Sequence, residues 1–188
     1  MNDTWKAAMS PSRIARFFFH DCESFLLYHS SQPEDRASRN LPTLDQTTQP
    51  LMEAIQHQGH LWEEHAITHH LKGERVHIAS GTKPLSDRYH DVSQTISLLR
   101  SAAIGDWIYQ PTLEAPPLFY HTYNLDAHPH IRFSMCRPDL LSIVRDPVSG
   151  GRLVRVVDLK RGERLKAHYT IQITIYAMLL DALIHTHQ

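Results

Sequence analysis

Residues 133–160 read FSMCRPDLLSIV, RDPVSGGR and LVRVVDLK, and this stretch decides the fold. Two runs rich in β-branched and aliphatic residues flank a segment with a proline, a serine and two glycines, which predicts a β-hairpin with a loop. Folding the loop about the Val148–Ser149 peptide places Asp139 opposite Asp158. Residues that face each other on an antiparallel pair lie side by side on one face of the sheet.

The open end of this hairpin combines acids with a base. Side chains alternate along a strand, so Asp158 and Lys160 share one face, whereas Val157 and Leu159 share the other. Buried carboxylates cost several kcal/mol unless a charge neutralises them, and Mg²⁺ binds one or two carboxylates together with water and phosphate. A lysine beside such an ion can orient or deprotonate the attacking water. From the residues alone, two solvated acids with a salt-bridging lysine remain an equal alternative.

The sequence Pro138-Asp139, followed by the hairpin and Asp158-Leu159-Lys160, resembles the PD-(D/E)xK nuclease superfamily. The resemblance is closest to RecB-like nucleases, which occur alone or fused to helicases and are related to CRISPR-associated adaptation nucleases. It implies an α/β, restriction-endonuclease-like core of helix, antiparallel β-meander, helix and mixed sheet over residues 1–188. The last strand would follow Gln188 in a longer protein. A compact variant, with a different strand closing the edge, is the alternative.

The resemblance also implies a metal site that cleaves DNA. Asp139, Asp158 and the backbone carbonyl of Leu159 would bind Mg²⁺ or Mn²⁺, and Lys160 would position or activate the water. The expected partners are single-stranded DNA or duplex ends and a helicase domain or subunit.

Two helices carry further residues of the family pattern. GHLWE, residues 59–63, resembles the segment whose acid reaches in as an additional ligand, which makes Glu63 the expected ligand and Glu64 the adjacent alternative. KAHYTIQITIYAMLL, residues 166–180, resembles the helix whose Gln172 and Tyr176 shape the site and place DNA. These two residues are one turn apart, so simple packing at the helix border is the alternative.

The opening segment SPSRIARFFFHDCESFLLY, residues 10–28, predicts a helix that begins with a serine cap and a proline. It resembles the RecB-like helix in which a cysteine can bind an iron–sulfur cluster. Such clusters need four cysteines. Because only Cys22 matches and Cys136 is the one other cysteine, the sequence argues against a cluster built from this chain alone. Cys22 is interpreted as a small buried apolar residue.

Composition describes an ordinary soluble chain of 188 residues, with 41% hydrophobic residues and a net charge of −1. Seven basic residues against three acids between Arg145 and Lys166 predict a local phosphate-binding patch that includes Arg161 and Lys166. A solvated charged face is the alternative. The apolar stretch Ile171–Ile184 is too short to span a bilayer, and the isolated cysteines fit a cytoplasmic location without membrane contact.

The remaining pattern predicts helices over residues 51–71, 91–103 and 164–182, and strands over 74–80 and 107–113. Residues 30–50 and 114–129 are predicted as connections. His65 and His69 lie one helical turn apart, a spacing that suits zinc, but no HExxH motif or cysteine supports such a site. A non-catalytic nucleic-acid-binding module and a histidine-rich metal-binding protein are the alternatives to the nuclease hypothesis.

Overall fold

A computed structural model describes residues 7–20, 31, 38, 49–128, 131–160 and 166–187, which form a mixed α/β structure. The described helices are α1 (Pro11–His20), α2 (Gln49–His65), α3 (Val92–Ser101), α4 (Pro117–Thr122) and α5 (Ala167–His187). The described strands are β1 (Ala7–Met9), β2 (Val76–His77), β3 (Trp107–Tyr109), β4 (Ile131–Phe133), β5 (Leu140–Arg145) and β6 (Arg152–Val157). A π-helical turn, Ala66–His70, extends α2, and a 3₁₀ turn covers Leu85–Asp87.

The main sheet has the strand order β2-β3-β5-β6. β2 runs parallel to β3, whereas β3, β5 and β6 form an antiparallel meander. Leu140 pairs with Val157 and Arg145 pairs with Arg152, so Asp139 and Asp158 lie directly beyond the last pair of the ladder. The predicted hairpin and its register are therefore confirmed.

The first strand of the hairpin begins later than the sequence suggested. β4, which contains Phe133, pairs in parallel with β1 in a separate two-stranded sheet. Cys136 makes an isolated bridge to Leu113, and Pro138 is fully buried just before the ladder. Because proline has no N–H to donate, the regular pairing starts only after Pro138. The assignment of residues 133–139 to the hairpin strand was wrong.

The meander separates two apolar clusters. On one face Leu141, Ile143 and Val156 pack with α5 through Leu179 and Leu183. On the other face a smaller cluster joins the following residues: Ile67, Leu71, Val76, Leu85, Trp107, Tyr109, Leu140, Val157 and Leu159. Alternation along β5 and β6 produces this division, as expected for a sheet covered on both faces. The π-helical turn after α2 thereby holds that helix against the sheet.

Several helix boundaries agree with their local chemistry. Ser10 Oγ accepts a hydrogen bond from the Arg13 N–H at 3.3 Å, which confirms the predicted start of α1. A capping box between Asp91 and Gln94 begins α3 at the predicted place. The sequence missed α4, which lies inside the predicted connection 114–129 and starts with proline at its first position.

Helix α5 is 21 residues long, and by length and composition it is the one helix of the described ranges that could cross a bilayer. The apolar stretch Ile171–Ile184 lies within this longer helix. Its buried residues nevertheless belong to the core, namely Tyr176, Leu179, Leu180, Ala182 and Leu183. Amphipathic periodicity is weak because α5 is apolar on most sides, as is typical of a helix that covers a sheet.

The edge of the meander beside β3 is occupied by β2, which comes earlier in the chain. In the described residues, β6 forms the other edge of this sheet. A further strand after Gln188 stays a prediction.

Candidate active site

The hairpin brings two acids and a lysine together at its open end. Lys160 Nζ lies 2.8 Å from Asp158 Oδ1 and 3.9 Å from Asp139 Oδ2. The Leu159 N–H donates to Asp139 Oδ2 at 2.5 Å, which ties the end of β6 to the acid opposite it. Asp139, Asp158 and Lys160 therefore converge as the sequence indicated.

Asp158 is the most constrained member of this group. Its side chain is 1% exposed, and Lys160 bonds only its Oδ1 atom. Within the described part of the chain, no hydrogen-bond donor reaches the buried Oδ2 atom. A buried carboxylate oxygen without a partner costs about 1–3 kcal/mol, or more when it is charged. A cation at this oxygen would remove that cost.

The electrostatics of Asp139 point in the same direction. Burial raises the pKa of Asp139 well above its ordinary value, and the negative charges of Asp158 and Glu63 raise it further. The Lys160 ammonium and the Leu159 N–H oppose this effect without cancelling it. Burial is the largest of these causes, so the environment of the Asp139 carboxyl disfavours its ionised form.

Lys160 is held as a cation. Burial lowers its pKa, but Asp139 and Asp158 outweigh burial, and the net pKa is raised above its ordinary value. A lysine with a raised pKa orients water or phosphate as a hydrogen-bond donor and is a poor general base. Lys160 Nζ also lies 5.8 Å from the Tyr169 ring centroid, and Lys166 Nζ lies 6.0 Å from it. The aromatic ring thus brings predicted substrate residue Lys166 to the same end of the hairpin.

Glu63 reaches the site through two residues at the end of β3, Tyr109 and Gln110. Its Oε2 atom accepts hydrogen bonds from Tyr109 Oη at 3.3 Å and from Gln110 Nε2 at 3.1 Å. Gln110 has φ 47°, a left-handed conformation that is strained for a residue with a side chain. Its N–H donates to the Asp139 carbonyl at 2.9 Å. Gln110 therefore connects Glu63 with Asp139, and its backbone turn also ends β3 before the predicted position 113.

Gln172 and Tyr176 lie on the neighbouring surface of α5. Gln172 Nε2 donates to Tyr176 Oη at 3.3 Å, and Tyr176 Oη donates to the Arg137 carbonyl at 3.2 Å. Burial raises the pKa of Tyr176, so the phenol is a neutral donor. The predicted pair is therefore in contact, and its direct structural role is to hold the chain two residues before Asp139.

Comparisons with protein-family models, with curated proteins and with solved structures find no match to this chain. The chemistry of the site therefore rests on its own geometry.

The basic run between Arg145 and Lys166 does not form one patch. Arg145 Nη1 donates to the Gly150 carbonyl, and the Arg152 guanidinium donates to the Leu99 and Arg100 carbonyls. Both arginines lie at the loop end of the hairpin. Six residues of extended strand separate them from the acids, which corresponds to roughly 20 Å. Lys160 and Lys166 lie at the acid end instead. The expectation of a single patch was wrong because the hairpin separates its two ends.

Three further predicted roles, those of Arg161, Cys22 and the Leu159 carbonyl, stay predictions. Arg161 and Cys22 lie outside the described residues, so their roles stay predictions. Leu159 donates its N–H to Asp139 and packs its side chain in the smaller apolar cluster. A metal bond from its carbonyl also stays a prediction.

Histidines gather at the end of α2 without forming a ligand set. The His65 and His69 rings stack with centroids 4.4 Å apart, and Trp62 stacks on His65 at 5.6 Å. No group of three or more histidine, cysteine, aspartate or glutamate side chains in the described ranges is arranged to hold a metal ion. Metal binding by the acid pair of the hairpin stays a prediction.

A cavity of about 690 Å³ lies between α3, β6 and α5, and the acids at the end of the hairpin do not line it. The side chain of Asp139 is 14% exposed and that of Asp158 is 1% exposed.

Proposed function

We propose that this chain is a metal-dependent DNA nuclease domain of the RecB-like PD-(D/E)xK type. The observation that supports the proposal most strongly is the buried, unpartnered Oδ2 atom of Asp158 beside Asp139 and Lys160. A salt-bridged surface hairpin, the alternative from the residues alone, would expose its acids. Here the Asp139 side chain is 14% exposed and the Asp158 side chain is 1% exposed.

The residues fit Mg²⁺ or Mn²⁺. Both ions prefer oxygen ligands, and Mg²⁺ is commonly held by one or two carboxylates with water and phosphate at the other positions. Asp139 and Asp158 would hold the ion. Glu63, which does not form a three-acid group with them among the described residues, and the Leu159 carbonyl would be further ligands once the ion is bound. When bound, the ion would supply positive charge to the scissile phosphate and lower the pKa of a bound water.

The protein groups around the acids have complementary roles. The Lys160 ammonium donates hydrogen bonds that orient the attacking water or a phosphate oxygen, and it stabilises the negative charge that develops on that phosphate. Gln110 and Tyr109 fix the Glu63 carboxylate. Tyr176 fixes the backbone ahead of Asp139, so the acid keeps its position when substrate arrives.

The partners and location follow from the same proposal. DNA, as single strands or duplex ends, is the substrate, and a helicase domain or subunit supplies it in the cytoplasm.

A cleavage assay tests the proposal. Labelled linear and circular DNA, single- and double-stranded, is incubated with the protein in Mg²⁺, Mn²⁺ or EDTA. We expect metal-dependent cutting that is lost in Asp158→Ala and in Lys160→Ala. Arg132→Ala is a control, because Arg132 is an exposed cation on β4 in the other sheet. Equal cutting by all four proteins would indicate a contaminant and refute the assignment.

One observation favours a second function. The described acids do not form a three-residue metal group, which suits a non-catalytic nucleic-acid-binding module. Such a module would bind DNA in EDTA as well as in Mg²⁺ and would cut under neither condition.

A further inference from the structure

An arginine and a tyrosine stack beside the acids. The Arg137 guanidinium carbon lies 4.0 Å from the centroid of the Tyr89 ring, within the range of a cation–π contact. Tyr89 is 46% exposed although the guanidinium covers part of its ring, and Arg137 is also exposed. Arg137 precedes Asp139 by two residues, so the stack borders the proposed active site.

Neighbouring residues hold both partners of the stack in place. Tyr176 Oη donates to the Arg137 carbonyl, and Pro138 is fully buried immediately after it. On the other side, buried His90 follows Tyr89 and is paired through its backbone with Gln110 and Thr112 at 3.1 Å each. The stack is therefore built on the same turn that positions Glu63, and its geometry is preformed.

The Arg137 guanidinium keeps its hydrogen-bonding capacity. Across the described ranges, no carboxylate or carbonyl bonds its side chain, and its ring contact with Tyr89 leaves the N–H edge available. Other arginines are already bonded to a backbone carbonyl or lie beside a carboxylate, namely Arg75, Arg88, Arg100, Arg132, Arg145 and Arg152. The guanidinium offers five N–H donors in a planar fork, which suits a phosphate group, and the exposed tyrosine ring beside it suits a base. The stack therefore matches the two parts of a nucleotide.

We propose that Tyr89 and Arg137 form a subsite for one unpaired nucleotide next to the scissile phosphate. Arg137 binds a phosphate oxygen through its free N–H groups, and the Tyr89 side of the stack carries the base. A base inside a duplex is already stacked on both faces, so this subsite selects a single strand or a frayed end. This inference rests on the proposed function for the position of the scissile bond, but binding tests it separately from cleavage.

The test measures affinity without cleavage. A fluorescein-labelled single-stranded DNA, the same strand with abasic sites, and the corresponding duplex are titrated with protein in EDTA, and anisotropy is recorded. The variants are Tyr89→Phe, Tyr89→Leu, Arg137→Ala and Arg132→Ala. Arg132→Ala is the matched control, because Arg132 also lies over a tyrosine ring, that of Tyr120 at 5.3 Å, but in the other sheet. Thermal unfolding verifies that each variant is folded.

Stacking on one ring contributes an affinity factor of roughly 5- to 100-fold. We expect Tyr89→Leu to lose about this factor on the normal strand and little on the abasic strand, whereas Tyr89→Phe retains wild-type affinity. Arg137→Ala weakens binding to both strands and lowers the salt slope by about 0.7, as for one phosphate contact on a single strand. Arg132→Ala binds as the wild type does.

The outcomes separate this inference from the nuclease proposal. Unchanged affinity in folded Tyr89→Leu, an equal loss on normal and abasic strands, or tighter wild-type binding to the duplex would each overturn the subsite. A protein that binds in the expected way but never cuts in Mg²⁺ or Mn²⁺ would keep the subsite and refute the nuclease. If the wild type cuts DNA in Mg²⁺ or Mn²⁺ but Tyr89→Leu binds DNA as tightly as the wild type does, the nuclease proposal would be kept and the subsite would be refuted.

Discussion

Two buried aspartates should respond in opposite ways to the same substitution. Asp158 is 1% exposed and has one oxygen without a donor among the described residues. Asp106 is 7% exposed, and its Oδ2 atom is bonded to His77 Nε2 at 2.8 Å and to the Ala103 N–H at 3.0 Å. Changing each aspartate to asparagine removes one negative charge and preserves the size of the side chain.

For Asp158→Asn in EDTA, we expect the stabilisation that is gained to exceed the stabilisation that is lost. Replacing the buried carboxylate by a neutral amide lowers the cost of burying the unpartnered position by about 1–3 kcal/mol, and repulsion with Asp139 also disappears. Against this, the ion pair with Lys160 is worth up to about 1 kcal/mol, because that ammonium is 35% exposed. We expect the free energy of unfolding to rise by about 1–2 kcal/mol, or ~2–8 °C in Tm for a domain of this size.

For Asp106→Asn we expect the reverse. Loss of hydrogen bonds to a charged group lowers the free energy of unfolding by about 1.5–3 kcal/mol. The hydrogen bond from His77 is the largest cause that lowers the pKa of Asp106. A lowered folded pKa stabilises the protein above the unfolded pKa of about 3.9, and this contribution is lost as pH falls through the folded value. The difference between Asp106→Asn and wild type should therefore shrink in acid.

Urea denaturation in EDTA, followed by circular dichroism, measures both variants. Adding Mg²⁺ or Mn²⁺ should stabilise the wild type by about 2.7 kcal/mol when the ion concentration is 100 times the dissociation constant. The ion should stabilise Asp106→Asn by the same amount. It should leave Asp158→Asn unchanged. If Asp158→Asn were destabilised in EDTA as much as Asp106→Asn, the buried oxygen would have a partner and the reasoning would fail.

Three further predictions concern single residues. Glu63→Gln keeps both bonded neighbours but loses the charge, so we expect metal-dependent cleavage to fall roughly 10- to 100-fold, and unchanged rates would exclude a role for this acid. Tyr176→Phe removes the donor to the Arg137 carbonyl and should lower the free energy of unfolding by about 1 kcal/mol in urea, whereas a neutral effect would show that the bond is not formed. Burial raises the pKa of the Cys136 thiol to about 12, so iodoacetamide at pH 8 should label this thiol only after the protein is unfolded. Peptide mass spectrometry measures the labelling, and rapid labelling of the native protein would contradict the burial of Cys136.

The hairpin could be predicted because its determinants are local. Turn residues and alternation specify the pairing of β5 with β6, and the observed register places Asp139 opposite Asp158 without any distant contact. The contact between Gln172 and Tyr176 was predictable for the same reason, since helical spacing alone makes them neighbours.

The contacts of the supporting residues could not be predicted in this way. Tyr109 and Gln110 meet Glu63 across more than 40 residues of sequence, and the contact depends on a left-handed turn at Gln110 that periodicity does not reveal. The stack of Tyr89 on Arg137 likewise joins two distant segments. These contacts join residues that are far apart in the sequence, and no local pattern encodes them.

Charge counted along the chain was misleading for a geometric reason. The run from Arg145 to Lys166 passes along β6, so its two ends are separated by the length of a strand. Arg145 and Arg152 use their donors on backbone carbonyls at the loop end. Among the described residues of this run, Lys160 and Lys166 lie at the acid end of the hairpin.

The central claim is that the acid pair at the end of the hairpin binds a divalent cation. Titration of Mn²⁺ into the protein, with the free ion quantified by electron paramagnetic resonance, tests it most directly. We predict that wild type and Asp106→Asn remove the ion from solution equally, whereas Asp139→Asn and Asp158→Asn do not. Binding that is the same in all four proteins, or absent from the wild type, would contradict the claim.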